Sequence, residues 1–270
     1  MEKHTAQEVI LDGDSLTIQD VVDVARHHKP VSISPIGKAN LVRARAMVDQ
    51  FIAEDKVVYG LTTGFGKFST VTINKEQIEE LQENLIITHA VGVGEPFPEE
   101  VVRAMMLLRA NALTQGHSGV RPEVVAALLE MLNKGVHPVI PEKGSLGASG
   151  DLAPLSHMVL VLIGKGEAFY KGERMPGAAA MTKAGIEVVK LKAKEGLALI
   201  NGTQAMTAVG TLAFYDAERL ARLADVAAAM SVEALDGITP AFDPKVHAVR
   251  PHPGQIKVAA NLRQLLAESE

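Results

Sequence analysis

From Thr203 to Ala234 the sequence holds about thirty residues of helical apolar spacing, rich in alanine and free of proline. Helices of that length usually belong to bundles, so this one segment sets the expected fold class: mainly α, ending in the start of a long-helix bundle. The same periodicity predicts helices upstream at residues 37–54, 75–89, 98–114, 123–133 and 151–163. Pro98-Glu99-Glu100 places a proline and acids in a first turn, and Gly116 follows as a stop signal. Strand candidates are short: 31–34, 57–59 and a hairpin-like 168–175 around Lys171-Gly172. Near residues 192–203 the pattern changes from helices broken by loops to one continuous helix. The expected division is therefore an N-terminal domain, 1–200, and the opening of the bundle, 201–270.

Composition excludes several classes of function. With 270 residues, 47% hydrophobic and 22% charged, the chain can bury a substantial core and is globular. A net charge of −5 argues against a nucleic-acid or anionic-membrane surface, both of which need clustered Lys and Arg, and leaves small molecules as the expected partners. The absence of cysteine removes disulfides, thiol nucleophiles and thiolate metal sites, and it fits a reducing compartment, so a cytoplasmic location is expected. Residues 1–8 lack the basic and apolar regions of a secretory signal. No apolar run is expected to span a membrane, since Met158 to Gly164 is interrupted by Lys165. His27-His28 and His247 with His252 have no acidic companions at ligand spacing, so no metal site is expected.

The chemistry concentrates in Gly144-Ser145-Leu146-Gly147-Ala148-Ser149-Gly150-Asp151-Leu152-Ala153-Pro154. If the Gly150 nitrogen attacks the Ala148 carbonyl and Ser149 then loses water, the backbone becomes an imidazolone bearing an exocyclic methylidene, a strong electrophile. Glycine offers an unhindered nitrogen and reaches unusual backbone angles, alanine leaves the carbonyl open, and serine supplies the leaving hydroxyl. Asp151 followed by an apolar run reads as a helix start, with Pro154 in the first turn, so backbone N–H groups and the positive dipole would lie near the loop. An ordinary glycine-rich turn capping a helix uses the same residues, and the tripeptide alone does not decide. A hydrolase elbow is excluded, because Gly-x-Ser-x-Gly would need glycine where Asp151 stands.

Residues Gly144 to His157 resemble the signature of the aromatic amino acid ammonia-lyases, and two further landmarks follow in family order: Tyr59-Gly60-Leu61-Thr62-Thr63-Gly64-Phe65-Gly66 and Glu195-Gly196-Leu197-Ala198-Leu199-Ile200-Asn201-Gly202-Thr203-Gln204. The resemblance runs from about Leu11 to the end of the chain. It implies the N-terminal portion of the fumarase/aspartase-like helical fold, and a methylidene-imidazolone formed from Ala148, Ser149 and Gly150 with no metal or external organic cofactor. It also implies an amino acid substrate that loses ammonia to give an α,β-unsaturated acid, and a homotetramer joined through its central bundle. Tyr59 matches the family's active-site tyrosine and would serve as base if its pKa were brought down; out of context it reads as a tyrosine capping a strand. Asn201 matches an asparagine whose amide can donate to the imidazolone oxygen and accept from the substrate amine, although Asn-Gly before a helix is also a common cap pair.

Specificity, by the same resemblance, falls on Thr88-His89. The family's histidine-using members carry Ser-His there, whereas its phenylalanine- and tyrosine-using members carry Phe-Leu or His-Leu. The pair therefore favours L-histidine as substrate and urocanate as product, with the His89 imidazole bonding that of the substrate; a histidine at the end of an amphipathic helix is otherwise a cap or surface residue. Gly64-Phe65-Gly66-Lys67-Phe68-Ser69 lacks the last glycine of a dinucleotide fingerprint. Family members continue beyond Glu270, and their later Tyr-Ser-x-Arg stretch and a distant glutamate have no counterpart here. Two hypotheses stay open: a self-processed lyase polypeptide for histidine, incomplete without further chain, or an inactive folded fragment or structural partner. An aminomutase, or a lyase for phenylalanine or tyrosine, would share the loop.

Overall fold

The computed structural model describes residues 8–58, 61, 78–147 and 150–268. The chain divides into two compact units, Met1–Leu212 and Ala213–Glu270, with the boundary inside its longest helix. The expected division at residue 200 falls instead at a corner between two helices of the first unit.

The first unit opens with β1 (Val9–Leu11), α1 (Ile18–His27), β2 (Val31–Ile33) and α2 (Pro35–Ala53). β1 and β2 pair in parallel, Val9 opposite Val31. α1, which apolar periodicity missed, is started by a capping box in which Thr17 Oγ1 accepts from Asp20 N–H at 3.1 Å and the Asp20 carboxylate accepts from Thr17 N–H at 3.0 Å. Next come α3 (Ile78–His89), β3 (Val93–Pro96), α4 (Glu99–Thr114), α5 (Pro122–Lys134), β4 (Val136–Pro138), β5 (Pro141–Lys143) and α6 (Leu152–Leu162). The unit closes with β6 (Glu167–Tyr170), β7 (Glu173–Pro176), α7 (Gly177–Lys183), α8 (Glu195–Ile200) and the beginning of α9 (Gln204–Ala234). β6 and β7 form the expected hairpin, turning at Lys171 and Gly172, both with positive φ, and β4 adds to β6. The strand expected at 57–59 does not form at Val57 or Val58, and Tyr59 lies outside the described residues.

α4 is the centre of the core. Its Ala104, Met105, Met106, Leu107, Ala110 and Leu113 are fully buried, and it packs against α1 and α5, while α6 packs against α3 and α8. Among the buried cations Arg103, 2% exposed, donates to the carbonyls of Val24 (3.0 and 2.9 Å) and Leu132 (2.9 Å) and to His137 Nε2 (3.1 Å). Burial and then the Arg103 charge push the His137 pKa down to about 4. The native state thus resists a proton that the unfolded chain accepts near pH 6.5, so the stability from neutral His137 is complete above that value and is lost as pH falls toward 4. Between pH 7.5 and 5 this amounts to about 2 kcal/mol. Urea midpoints at the two pH values should separate by that margin more in the wild type than in His137→Gln; equal pH sensitivity would refute the assignment.

The second unit has a small core of Ala229, Leu262 and Leu266 packed by Val232 and Phe242. It holds the rest of α9, a short 3-10 turn at Thr239–Phe242, α10 (Pro244–Ala248) and α11 (Pro253–Leu265), with Asn261 donating to Asp225 at 2.7 Å. One segment, Glu195–Ala234, is long and apolar enough by length and composition alone to cross a membrane, a test that the core helix of a bundle also passes. The structure breaks it between α8 and α9, and the exposed Glu218, Arg219 and Arg222 give α9 the charged face of a bundle helix.

Candidate active site

The short β3–β5 pair assembles the site. β3 follows the end of α3, β5 leads into Gly144, and the two are antiparallel with Val93 opposite Lys143. His157 on α6 reinforces the join: its Nε2 accepts from Gly92 N–H at 3.0 Å, and burial lowers its pKa, keeping the ring in the neutral form that this bond requires. The end of α3 is thereby drawn to the loop, and a cavity of about 250 Å3 opens between them. Thr88 and His89 line it together with Gly150, Leu152 and Ala153. A larger cavity of about 710 Å3, beside Arg121, Glu123 and Lys190, includes none of the candidate residues.

His89 is half-buried, and its Nδ1 donates to Leu85 O at 2.8 Å, so that in the neutral ring Nε2 is the acceptor. The Thr88 hydroxyl donates to Asn84 O at 2.8 Å and so fastens the last turn of α3. On the other wall Gly150 has a φ of 99°, and a Cβ there would stand 2.5 Å from the Gly202 carbonyl oxygen. Only glycine fits that close approach. The Gly150–Gly202 contact is extended by Asp151 N–H donating to Gly202 O at 2.6 Å.

Asp151, 1% exposed, does more than start α6. Its carboxylate accepts from Ser145 Oγ at 2.7 Å and from Met206 N–H at 2.9 Å, so one side chain ties the loop to the first turn of α9 and satisfies a donor that the helix start leaves open. Asn201, at the end of α8, is exposed, and its side chain has no hydrogen-bond partner among the described residues. It does not line the cavity, but its neighbour Gly202 touches Gly150. Ala148, Ser149 and Tyr59 lie outside the described residues. The structure thus brings Thr88, His89 and Gly150 onto one cavity; behind its wall stand Asp151, which the sequence marked only as a helix start, and Arg109, which it did not mark at all and whose Nη1 donates to Gln204 Oε1 at 2.8 Å. Among the described residues no three metal-ligating side chains converge.

The family model for aromatic amino acid lyase matches residues 16–270. Among curated relatives, histidine ammonia-lyase of Alkaliphilus oremlandii is 60% identical over 263 residues, which is 97% of this chain and 52% of that protein. That of Caldanaerobacter subterraneus is also 60% identical, over 98% of this chain and 52% of its own length. Among solved structures, histidine ammonia-lyase from Trypanosoma cruzi superposes with a TM-score of 0.90 at 43% identity, over 95% of this chain and 50% of its own. Pantoea agglomerans phenylalanine aminomutase superposes with a TM-score of 0.91 at 38% identity, over 97% of this chain and 50% of its own. The chain spans about half the length of the curated relatives it matches. With the loop, the α3 terminus and the α8–α9 corner assembled as described, the chain belongs to the aromatic amino acid lyase family.

Proposed function

We propose that this chain is the N-terminal half of a histidine ammonia-lyase, which eliminates ammonia from L-histidine to give urocanate and works as a cytoplasmic homotetramer. What carries the reading is the cavity that joins His89 to Gly150, taken with 60% identity to proteins named histidine ammonia-lyase. The residues fit a methylidene-imidazolone built from Ala148, Ser149 and Gly150 on one observation: the Gly150 backbone, whose nitrogen closes the ring, sits where no side chain could hinder it. Once formed, the group supplies an electrophilic carbon that turns the substrate amine into a leaving group.

The chain's own residues then divide the remaining work. His89, protonated on Nδ1, accepts the substrate's imidazole N–H on Nε2 and orients the ring. Leu152 and Ala153 give the cavity apolar walls beside that bond. Asn201 supplies an amide for the substrate amine, and Tyr59 the base for the β-proton. The part of the relatives that this chain does not span supplies the other groups of each site. Intact mass spectrometry tests the first step, with an expected loss of two waters; an unshifted mass removes the self-processing claim. A spectrophotometric assay for urocanate, on the chain and with the complementary half added, is expected to show turnover of histidine and none of tyrosine or phenylalanine. Equal turnover of tyrosine would overturn the role given to His89.

The structural similarity to phenylalanine and tyrosine aminomutases, with TM-scores of 0.91 and 0.90, supports a second reading in which ammonia is added back at the β-carbon. Accumulation of a β-amino acid in the same assay would favour it.

A further inference from the structure

Gly202 is held from two sides. Gly150 presses on one: a Cβ on Gly150 would lie 2.5 Å from the Gly202 oxygen and 2.9 Å from its nitrogen. Arg109, reaching over from α4, occupies the other. Its Nη1 donates to Gln204 Oε1 at 2.8 Å, its Nη2 donates to Ala198 O, and a Cβ on Gly202 would collide with both Nη1 and Gln204 Oε1. The guanidinium therefore bridges the end of α8 and the start of α9, with the Gly202 backbone filling the gap beneath it.

Nothing about Arg109 suits it to a purely cohesive role. It is 4% exposed, and among the described residues its Nε has no partner and no carboxylate pairs with it. Burial lowers its pKa to about 10. A buried cation without a counter-ion costs stability that an apolar side chain of similar size would not, so its use must lie in the rigid fork of donors.

We propose that Arg109 is a positioning residue for the site: it clamps the Asn201-Gly202 peptide against Gly150 and thereby fixes where the Asn201 amide stands relative to the loop. The exposed Asn201 side chain has no hydrogen bond of its own among the described residues, so the backbone clamp is what locates it. The consequence for catalysis rests on the lyase reading above; the clamp itself does not.

Asn201-Gly202 carries its own probe of the clamp. An Asn-Gly pair deamidates when the glycine nitrogen attacks the asparagine side-chain carbonyl, closing a succinimide and releasing ammonia, after which water opens the ring to aspartate or isoaspartate. Gly202 must swing toward the Asn201 side chain for this, and a glycine wedged between Arg109 and Gly150 cannot.

The experiment incubates the full chain at mildly alkaline pH as wild type, Arg109→Lys, Arg109→Met, Gln204→Ala and His137→Gln, and follows Asn201 by peptide mapping, with circular dichroism to confirm folding. Asn201 is expected to stay intact in the wild type and in His137→Gln, which loosens the fold elsewhere. Deamidation is expected to rise about tenfold in both Arg109 variants, since each loses a charge-assisted bond that holds local opening in check, and by less in Gln204→Ala. An equal effect of Lys and Met assigns the clamp to the fork and not to the charge.

A wild-type rate in folded Arg109→Lys overturns the proposal, and if neither Arg109 variant folds, a wild-type rate in Gln204→Ala does so. A rise in His137→Gln as large as in the Arg109 variants also overturns it, because the effect would then be global. The two-water mass loss, read in the same samples, keeps the two claims apart. Its absence from the wild type sinks the electrophile reading while deamidation still judges the clamp, and its loss in folded Arg109→Lys together with faster deamidation supports both.

Discussion

Gly150→Ala is expected to leave the chain at its unprocessed mass and to lower its stability by about 3 kcal/mol. Two effects add at this position. A φ of 99° is a conformation that an L side chain rarely adopts, and the new methyl would meet the Gly202 carbonyl oxygen at 2.5 Å. Neither partner can retreat, because Asp151 N–H is bonded to that same oxygen at 2.6 Å and Arg109 closes the far side of Gly202. A shift of the loop would break the Asp151 bonds to Ser145 and Met206 that join the loop to α9. Gly147→Ala is the control. It lies in the same loop with a φ of 73°, but a Cβ there meets nothing within 4 Å, so the expected cost is about 1 kcal/mol of backbone strain alone. Intact mass and urea denaturation of the two variants read both quantities. Equal midpoints for Gly147→Ala and Gly150→Ala would show that the Gly150–Gly202 approach does not constrain the loop.

The contrast between those two glycines also marks how far a sequence can be read. Nothing local separates Gly147 from Gly150; the difference is Gly202, which approaches only one of them. The long helices were legible because apolar spacing is a local signal: the expected 203–234 became Gln204–Ala234, and the expected 98–114 became Glu99–Thr114. α1 was missed because its start is written in polar residues, Thr17 and Asp20, and β1, β3, β4 and β5 because strands of three or four residues carry too little alternation to register. Val57 and Val58 show the converse, β-branched residues that are not in a strand. At the site, Thr88, His89 and Gly150 were legible from motifs, and the structure adds that they share a cavity. Arg109 was not, because its partners Ala198 and Gln204 lie far along the chain and an arginine in the middle of α4 looks like any helix residue. Its meaning comes from burial with no carboxylate paired to it among the described residues, which is a property of the fold.

Glu195→Ala should be among the most destabilising single changes in the chain, lowering stability by about 4 kcal/mol. Glu195 is 0% exposed at the first position of α8, and its carboxylate is saturated: Oε1 accepts from Arg121 N–H at 3.0 Å and Arg121 Nε at 2.8 Å, while Oε2 accepts from Arg121 Nη2 at 2.8 Å and Lys192 N–H at 2.7 Å. Its bonds hold the Arg121 pKa up, a sign that the two charges stabilise each other. Truncation to alanine leaves a half-buried guanidinium that keeps Lys190 O, 2.7 Å from Nη2, but loses its carboxylate, and it leaves two backbone donors without that acceptor; removing one partner of such a pair costs far more than the pair is worth against apolar replacements. The double variant Arg121→Met with Glu195→Met should therefore recover part of the loss, the remainder reporting the stranded N–H groups of Arg121 and Lys192. Urea denaturation of the single and double variants measures this, and a loss below about 1 kcal/mol in Glu195→Ala would show the network to be dispensable. The expected consequence reaches the site through α8 itself: Glu195 anchors the helix whose other end is Asn201, so releasing its first turn while Arg109 still grips Ala198 and Gln204 should slacken the corner without dissolving it. Faster deamidation of Asn201 in Glu195→Ala, but slower than in Arg109→Met, is the ordering that this chain of contacts requires.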